Sequence, residues 1–316
     1  MTAITSITDV PGIRVGHTER TAAGWLSGVT VVLAPAGTAG SVDVRGGGPG
    51  THETDALDPT TLTRTVDAVV LTGGSAYGLA AAGGAQRWCE EHGRGLTVPG
   101  GLVPIVPAAA IFDLGRGGDF AARPDAAMGY AATADAAGRT EGHAVERGNV
   151  GAGTGALIGR GTYKGGIGTA SITLENGVVV GALAVVNALG LPYEGSGAIT
   201  DRQAKATAAP PLNTTLAVVA TNAVLDKAEC KRTASAAHAG LARALYPSHT
   251  LADGDTVFCL ATGALSLDRS SEAARQGSLI SLQSAAADVV RLAILDGIAS
   301  ARAVSTPAGH FGAYGR

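Results

Sequence analysis

The chain has 316 residues, of which 46% are hydrophobic, 16% charged and 4% aromatic, with a formal net charge of -3. A length of this order fits one compact unit, and so few aromatic residues require a core of Ala, Val, Leu and Ile. No Lys/Arg run is interleaved with aromatics, which removes the basis for gripping a phosphate backbone and excludes nucleic acid as a partner. No stretch approaches ~20 uninterrupted apolar residues, and the opening Met1-Thr-Ala-Ile-Thr-Ser6 lacks the basic-then-apolar pattern of a secretory signal, so a cytoplasmic protein is expected.

Cys89, Cys230 and Cys259 lie far apart, each within an apolar pattern, and read as core residues rather than a disulfide framework. The seven histidines form no HxxxH or HExxH pattern, so no metal site is expected.

In chain order, Val29 to Ala34 reads as a buried strand stopped by Pro35. The segment from Asp43 to Asp55 contains three glycines before a proline and reads as a shaped loop carrying Arg45, His52, Glu53 and Asp55. Asp67 to Leu71 is a second strand. It leads through Thr72-Gly-Gly-Ser-Ala-Tyr-Gly78 into an Ala-rich helix ending near His92 and Gly93. Its Gly-rich turn leaves free N–H groups suited to an oxygen, but its spacing matches neither GxGxxG nor a P-loop.

Residues 142 to 168 are irregular. Thr169 to Asn187 reads as a hairpin with a two-residue turn at Asn176-Gly177. The linker from Ser196 to Ala209 is polar, and Leu216 to Ala220 is a strand that needs both faces covered. Asp226 and Glu229 form a capping box before Cys230, Ala234, Ala237, Leu241 and Leu245 at helical spacing. Asp255 to Ala261 is another strand, Leu279 to Ala293 a last helix, and Pro307 to Arg316 a loose tail.

Polar residues therefore fall at strand ends: Asn187, Thr214, Asp253 and Asp255. A threonine that opens a buried strand can attack the preceding carbonyl, shift the acyl group from nitrogen to oxygen, and let water complete a cut. Thr214 would then carry a free α-amine of pKa near ~7.7–8, against ~10.4 for Lys, so nucleophile and base share one residue. A side-chain amide such as Asn187 is the kind of fixed donor that stabilises the resulting oxyanion, and Asp253 and Asp255 are placed to hold the amine, the hydroxyl or a substrate ammonium. The tripeptide Asn213-Thr-Thr215 alone would equally suit a plain turn before a strand.

Six stretches carry a more specific signal. They are Asp43-Val-Arg-Gly-Gly-Gly-Pro-Gly50, Leu71-Thr-Gly-Gly-Ser-Ala-Tyr-Gly78, Asn149-Val-Gly-Ala-Gly-Thr-Gly155, Lys164-Gly-Gly-Ile-Gly-Thr-Ala170, Asn213-Thr-Thr-Leu-Ala-Val-Val-Ala-Thr221 and Asp253-Gly-Asp-Thr-Val-Phe258. In this order they resemble the DmpA-type aminopeptidase family, which includes L-aminopeptidase/D-esterases, β-peptidyl aminopeptidases and nylon-oligomer hydrolases. The resemblance covers about residues 7 to 299.

It implies an α/β fold, a four-layer αββα sandwich similar to that of ornithine acetyltransferases. It further implies a single hydrolase domain over 1–316, self-cleaved between Asn213 and Thr214 into fragments 1–213 and 214–316 that stay folded together and assemble as homo-oligomers. Thr214 matches the family nucleophile, Asn187 the oxyanion-hole asparagine, and Asp253 and Asp255 the acidic pair of the nylon-oligomer branch. Tyr77 matches the tyrosine of the Gly-rich turn, and the basic role falls to Lys164 or Arg160. Plainer roles stay open: Asn187 capping a strand, Tyr77 packing in the core, Asp253 shaping the Gly254 turn. The implied substrate is a short peptide, an aminoacyl amide or ester, or an amino-acid oligomer; acyl-enzyme chemistry at Thr214 needs no cofactor. Acyl transfer of the ornithine acetyltransferase type, or an unprocessed scaffold without catalysis, are the alternatives.

Overall fold

A computed structural model describes residues 5–193 and 212–315. The polar linker expected from Ser196 to Ala209 lies outside these residues.

Ten strands build two sheets. β1 (Arg14–Arg20), β2 (Ser27–Leu33), β4 (Thr51–His52), β5 (Ala68–Thr72) and β6 (Ala108–Ala110) form the first, in the order β1-β2-β5-β6-β4. The second holds β3 (Ala39–Val44), β7 (Ile167–Thr173), β8 (Val179–Asn187), β9 (Thr214–Ala223) and β10 (Thr256–Leu265), in the order β7-β8-β9-β10-β3. Helices α1 (Ala81–Glu91) and α2 (Ala126–Gly138) cover the first sheet; α3 (Lys227–Ala244) and α4 (Glu272–Ser300) cover the second.

The side-chain period of two sorts each strand between two apolar layers. Along β9, Leu216, Val218 and Ala220 enter the layer between the sheets, while Ala217, Val219 and Ala223 face α3 and α4. Val32, Val69, Leu71 and Ala109 of the first sheet meet β9 in the middle layer, and Val29, Val31, Val70 and Ala108 turn outward onto α1 and α2. Every residue of β9 is buried, as a strand covered on both faces requires. The result is the expected αββα sandwich.

Local signals in the sequence account for several boundaries. Asp226 accepts from the Glu229 N–H at 2.7 Å while its own N–H donates to the Glu229 carboxylate at 3.1 Å, so the capping box starts α3 as its sequence implies. Helix α4 is long and apolar enough by composition to cross a bilayer, yet its Leu282, Ala286, Val289, Val290 and Ile294 pack into the core over the second sheet, which makes it a core helix. All three cysteines are buried.

Two readings need correction. The β7–β8 turn is not a two-residue connection: Leu174 still pairs with Val178, leaving Glu175, Asn176 and Gly177 between them with Gly177 at φ +81°. Asn176 spends its side-chain oxygen on the Val178 N–H at 3.1 Å, and glycine takes the left-handed position of a three-residue loop. Nor is the C-terminal segment loose. Val304–Thr306 pairs with Gly309–Phe311 as a hairpin, tied down by Thr306 donating to the Arg116 carbonyl at 2.7 Å and by Lys164 N–H donating to the Gly312 carbonyl at 2.7 Å.

Candidate active site

The second sheet brings the strand-end residues together. In the antiparallel β8–β9 ladder Asn187 stands directly opposite Thr214. In line with the parallel β9–β10 ladder, which begins at Leu216 and Thr256, an isolated parallel bridge joins Asn213 and Asp253 three residues earlier. Thr214, Asn187, Asp253 and Asp255 are all buried at this corner.

The Asn213–Thr214 peptide is closely held. Asn213 N–H donates to the Ala252 carbonyl at 3.0 Å, and its own carbonyl oxygen accepts from Gly254 N–H at 2.9 Å and from the Thr214 hydroxyl at 2.5 Å. Gly254 is needed for this approach: a Cβ there would come 2.6 Å from Thr214 Oγ1 and 3.0 Å from the Gly48 carbonyl. The triple-glycine loop closes over the same corner, with Gly46 N–H on the Asp255 carbonyl at 3.1 Å and Gly48 N–H on the Asp253 carbonyl at 2.8 Å. That loop is thus a wall of the corner rather than a free solvated segment.

Each carboxylate shapes the corner. Asp253 accepts from Thr250 N–H at 2.7 Å and Thr250 hydroxyl at 2.6 Å, the turn-shaping role left open for it. Burial, reinforced by the charge of Asp255, pushes the Asp253 carboxyl above its ordinary range. Asp255 uses one oxygen on Thr215 N–H at 2.7 Å, pinning the start of β9. Its other oxygen accepts from His249 N–H at 3.0 Å and lies 2.8 Å from His249 Nδ1.

Behind Asn187 lies a buried polar cluster drawn largely from the first sheet. Asn187 Oδ1 accepts from Arg116 at 2.5 Å and from Leu157 N–H at 3.0 Å, and its Nδ2 donates to the Phe112 carbonyl at 3.3 Å. Arg116 also donates to the Gly155 carbonyl at 2.6 Å. Lys164 is fully buried, with Nζ on the carbonyls of Thr154 at 2.9 Å and Ala156 at 2.6 Å. Desolvation, and then the nearby Arg116 cation, lower its pKa to about 7 against the pull of Asp113. Burial lowers Arg116 to about 10 and raises Asp113. Asp113 accepts from Gly74 N–H at 2.6 Å and Ser27 hydroxyl at 2.7 Å. Here the Gly-rich turn after β5 binds an oxygen anion with a backbone N–H, and the anion is the protein's own.

Of the two candidates for the basic role, Lys164 sits inside this cluster and Arg160 is exposed. Tyr77 is not a core tyrosine: it is 59% exposed on the helical turn Ser75–Gly78, with the Arg123 guanidinium 3.9 Å over its ring. Asp113, Arg116 and His249 escaped the sequence reading. The available signal was Asp113-Leu-Gly-Arg116, an acid and a base three residues apart just beyond an apolar strand.

The four-layer αββα sandwich is the architecture of an N-terminal-nucleophile hydrolase fold. The structure matches that of the L-aminopeptidase D-Ala-esterase/amidase of Ochrobactrum anthropi, described as a variant of the Ntn hydrolase fold, with a TM-score of 0.74 at 21% identity, covering 99% of this chain and 92% of that one. The chain belongs to peptidase family S58, whose family model matches residues 5–311. It is 48% identical to an uncharacterized aminopeptidase of Mycobacterium leprae, over 95% of this chain and 91% of that protein. It is 30% identical to the 6-aminohexanoate-oligomer endohydrolase of Paenarthrobacter ureafaciens, over 82% of this chain and 75% of that one. The chain is therefore a hydrolase of the S58 family, as the six sequence stretches implied.

Proposed function

We propose that the protein is a self-processing amide hydrolase, one hydrolase unit cut between Asn213 and Thr214, with Thr214 as the nucleophile of both the cut and the later hydrolysis. The observation that carries this reading is the pair of donors on the Asn213 carbonyl oxygen: Gly254 N–H at 2.9 Å and the Thr214 hydroxyl at 2.5 Å. The hydroxyl rests against the carbonyl group it has to attack, and the backbone donor is aimed at the oxygen where negative charge develops.

In the cut, Thr214 Oγ1 adds to the Asn213 carbonyl carbon, the C–N bond breaks, and the acyl group passes to oxygen as an ester while the Thr214 nitrogen becomes an amine. Water hydrolyses the ester, restoring the hydroxyl and leaving a carboxylate on Asn213. In turnover, the Thr214 α-amine takes the hydroxyl proton as Oγ1 attacks the substrate carbonyl, and the proton passes to the leaving amine. Asn187, opposite Thr214 in the ladder, is the donor to the substrate oxyanion. Asp255 fixes the start of β9 through Thr215, Asp253 fixes the turn that presents Gly254, and Lys164 braces the segment behind Asn187. Tyr77, exposed on its turn, is assigned to contact with the substrate.

The names of the relatives, an aminopeptidase and a 6-aminohexanoate-oligomer endohydrolase, support aminoacyl amides and short amino-acid oligomers, including nylon-type oligomers, as substrates, and the name of the Ochrobactrum enzyme adds esters. Cleaved pairs assembling as a cytoplasmic homo-oligomer complete the proposal. Intact-mass measurement of the wild type beside Thr214→Ala tests it, followed by assays on aminoacyl p-nitroanilides and 6-aminohexanoate oligomers. The expected result is fragments 1–213 and 214–316 from the wild type and one whole, inactive chain from the variant. A wild type that stays whole while hydrolysing these substrates sinks the proposal.

A further inference from the structure

We infer that Arg116 is a positioning residue that locks the Asn187 amide with its NH2 group turned toward the reacting carbonyl. The inference rests on the assignment of Asn187 as oxyanion donor. An amide side chain has two ends of nearly equal shape, and only the nitrogen end can stabilise an oxyanion. One end of the Asn187 amide lies between Arg116 at 2.5 Å and Leu157 N–H at 3.0 Å. A guanidinium and a backbone N–H are pure donors, so the atom between them must be the oxygen. Nδ2 is thereby committed to the other side. One of its N–H groups is engaged by the Phe112 carbonyl at 3.3 Å, and the second is the donor assigned to the developing negative charge.

A cation on Oδ1 does more than choose the rotamer. It draws electron density along the amide and strengthens the N–H groups as donors, an effect magnified in a buried setting. Arg116 is itself held on every side. Its guanidinium bonds the Gly155 carbonyl at 2.6 Å, and the charge of Asp113 supports its own. Its backbone carbonyl accepts from Thr306 of the C-terminal hairpin at 2.7 Å. Lys164 grips the carbonyls of Thr154 and Ala156, on either side of Gly155, so the segment that carries Leu157 N–H and anchors Arg116 through the Gly155 carbonyl is itself braced.

The test compares wild type, Asn187→Ala, Arg116→Met, Arg116→Lys and the double variant Asn187→Ala/Arg116→Met. The cut is followed by intact mass, and kcat and KM are measured on an aminoacyl p-nitroanilide. Loss of an oxyanion donor costs roughly 10²-fold or more in kcat, the fall expected for Asn187→Ala. Arg116→Met is expected to lose about tenfold or more in kcat at unchanged KM, with partial recovery in Arg116→Lys, and the double variant is no slower than Asn187→Ala alone. Completed cutting certifies that a variant has folded, because the cut draws on Gly254 N–H rather than on Asn187. An Arg116→Met enzyme as fast as wild type overturns the inference, and so does a loss that multiplies with that of Asn187→Ala. Where Arg116→Met does not fold, Arg116→Lys carries the same cycle, and its loss must vanish in the Asn187→Ala background. An Asn187→Ala enzyme with unchanged kcat removes the reading of Asn187 itself, a failure distinct from that of Arg116.

Discussion

The two sheets contribute to the candidate site in different ways. The second sheet places Asn187, Thr214 and the Asp253–Asp255 turn by strand register, so that backbone N–H and C=O groups do most of the holding. The first sheet contributes loops: the turn after β5 and the segment after β6 enclose Asp113 and Arg116, a cluster of buried charge resting on side chains. A register error in the second sheet would misplace the reacting atoms directly. A fault in the first would reach them only through Asn187.

This contrast makes distinct predictions. The largest effect on the reaction itself is expected from Gly254→Ala, because the new Cβ falls 2.6 Å from Thr214 Oγ1. Self-cutting should slow by at least about tenfold, equivalent to roughly 1.4 kcal/mol in the barrier, followed as fragment appearance over time on a denaturing gel. A variant that cuts at the wild-type rate breaks the claim that the corner of the second sheet sets the reaction geometry.

Next comes Gly73→Ala, whose Cβ would lie 2.1 Å from Asp113 Oδ2 and 2.2 Å from Ser27 Oγ. Displacing a buried carboxylate from its donors costs about 1–3 kcal/mol or more, so the thermal midpoint should fall by several degrees while the position of the cut stays the same. An unchanged midpoint would show that the cluster tolerates rearrangement and is not a rigid support.

The smallest effect concerns pH. Lys164 titrates at about 7 in the folded chain against 10.5 as the ordinary value. Between those values the unfolded chain holds a proton on this amine that the native chain has released. Stability from this group therefore rises with pH across that window, by at most about 1.4 kcal/mol per pH unit, and below about pH 7 the burial penalty is present in full. Replacing Lys164 by Met should flatten the stability profile measured by urea denaturation between pH 7 and 9. Parallel profiles for the two proteins would place the Lys164 ammonium in a better-solvated setting.

The same contrast explains what could be read from the sequence. The second sheet was readable because its signals are local: the continuous apolar run from Leu216 to Ala220, the capping box at Asp226 and Glu229, and the polar residues at strand ends. Asp253 was readable even in its plainer role, since Asp before Gly is a turn signal whatever else it does. The cluster behind Asn187 was not. Ser27, Gly74, Asp113, Arg116, Gly155 and Asn187 come from widely separated parts of the chain, and no spacing within one segment reports that they meet. The C-terminal hairpin was missed for a related reason: its strands, Val304–Thr306 and Gly309–Phe311, are only three residues each, too short for an alternating pattern to show, and its order comes from bonds to Arg116 and Lys164.

The strand order of the second sheet has one more consequence. β9 and β10 lie side by side in its interior, between β8 on one flank and β3 on the other, so the strand pair that follows Asn213 is stitched on both sides to strands that precede it. A cut before Thr214 would free no strand and expose no seam, yet it would change the order of the refolding reaction. An intact chain finds its partner strands at a local concentration set by its own loops, whereas two fragments must find each other by diffusion. The cut molecule would then endure by the slowness of its unfolding, and protein lost to heat would return at a rate that depends on how much of it is present.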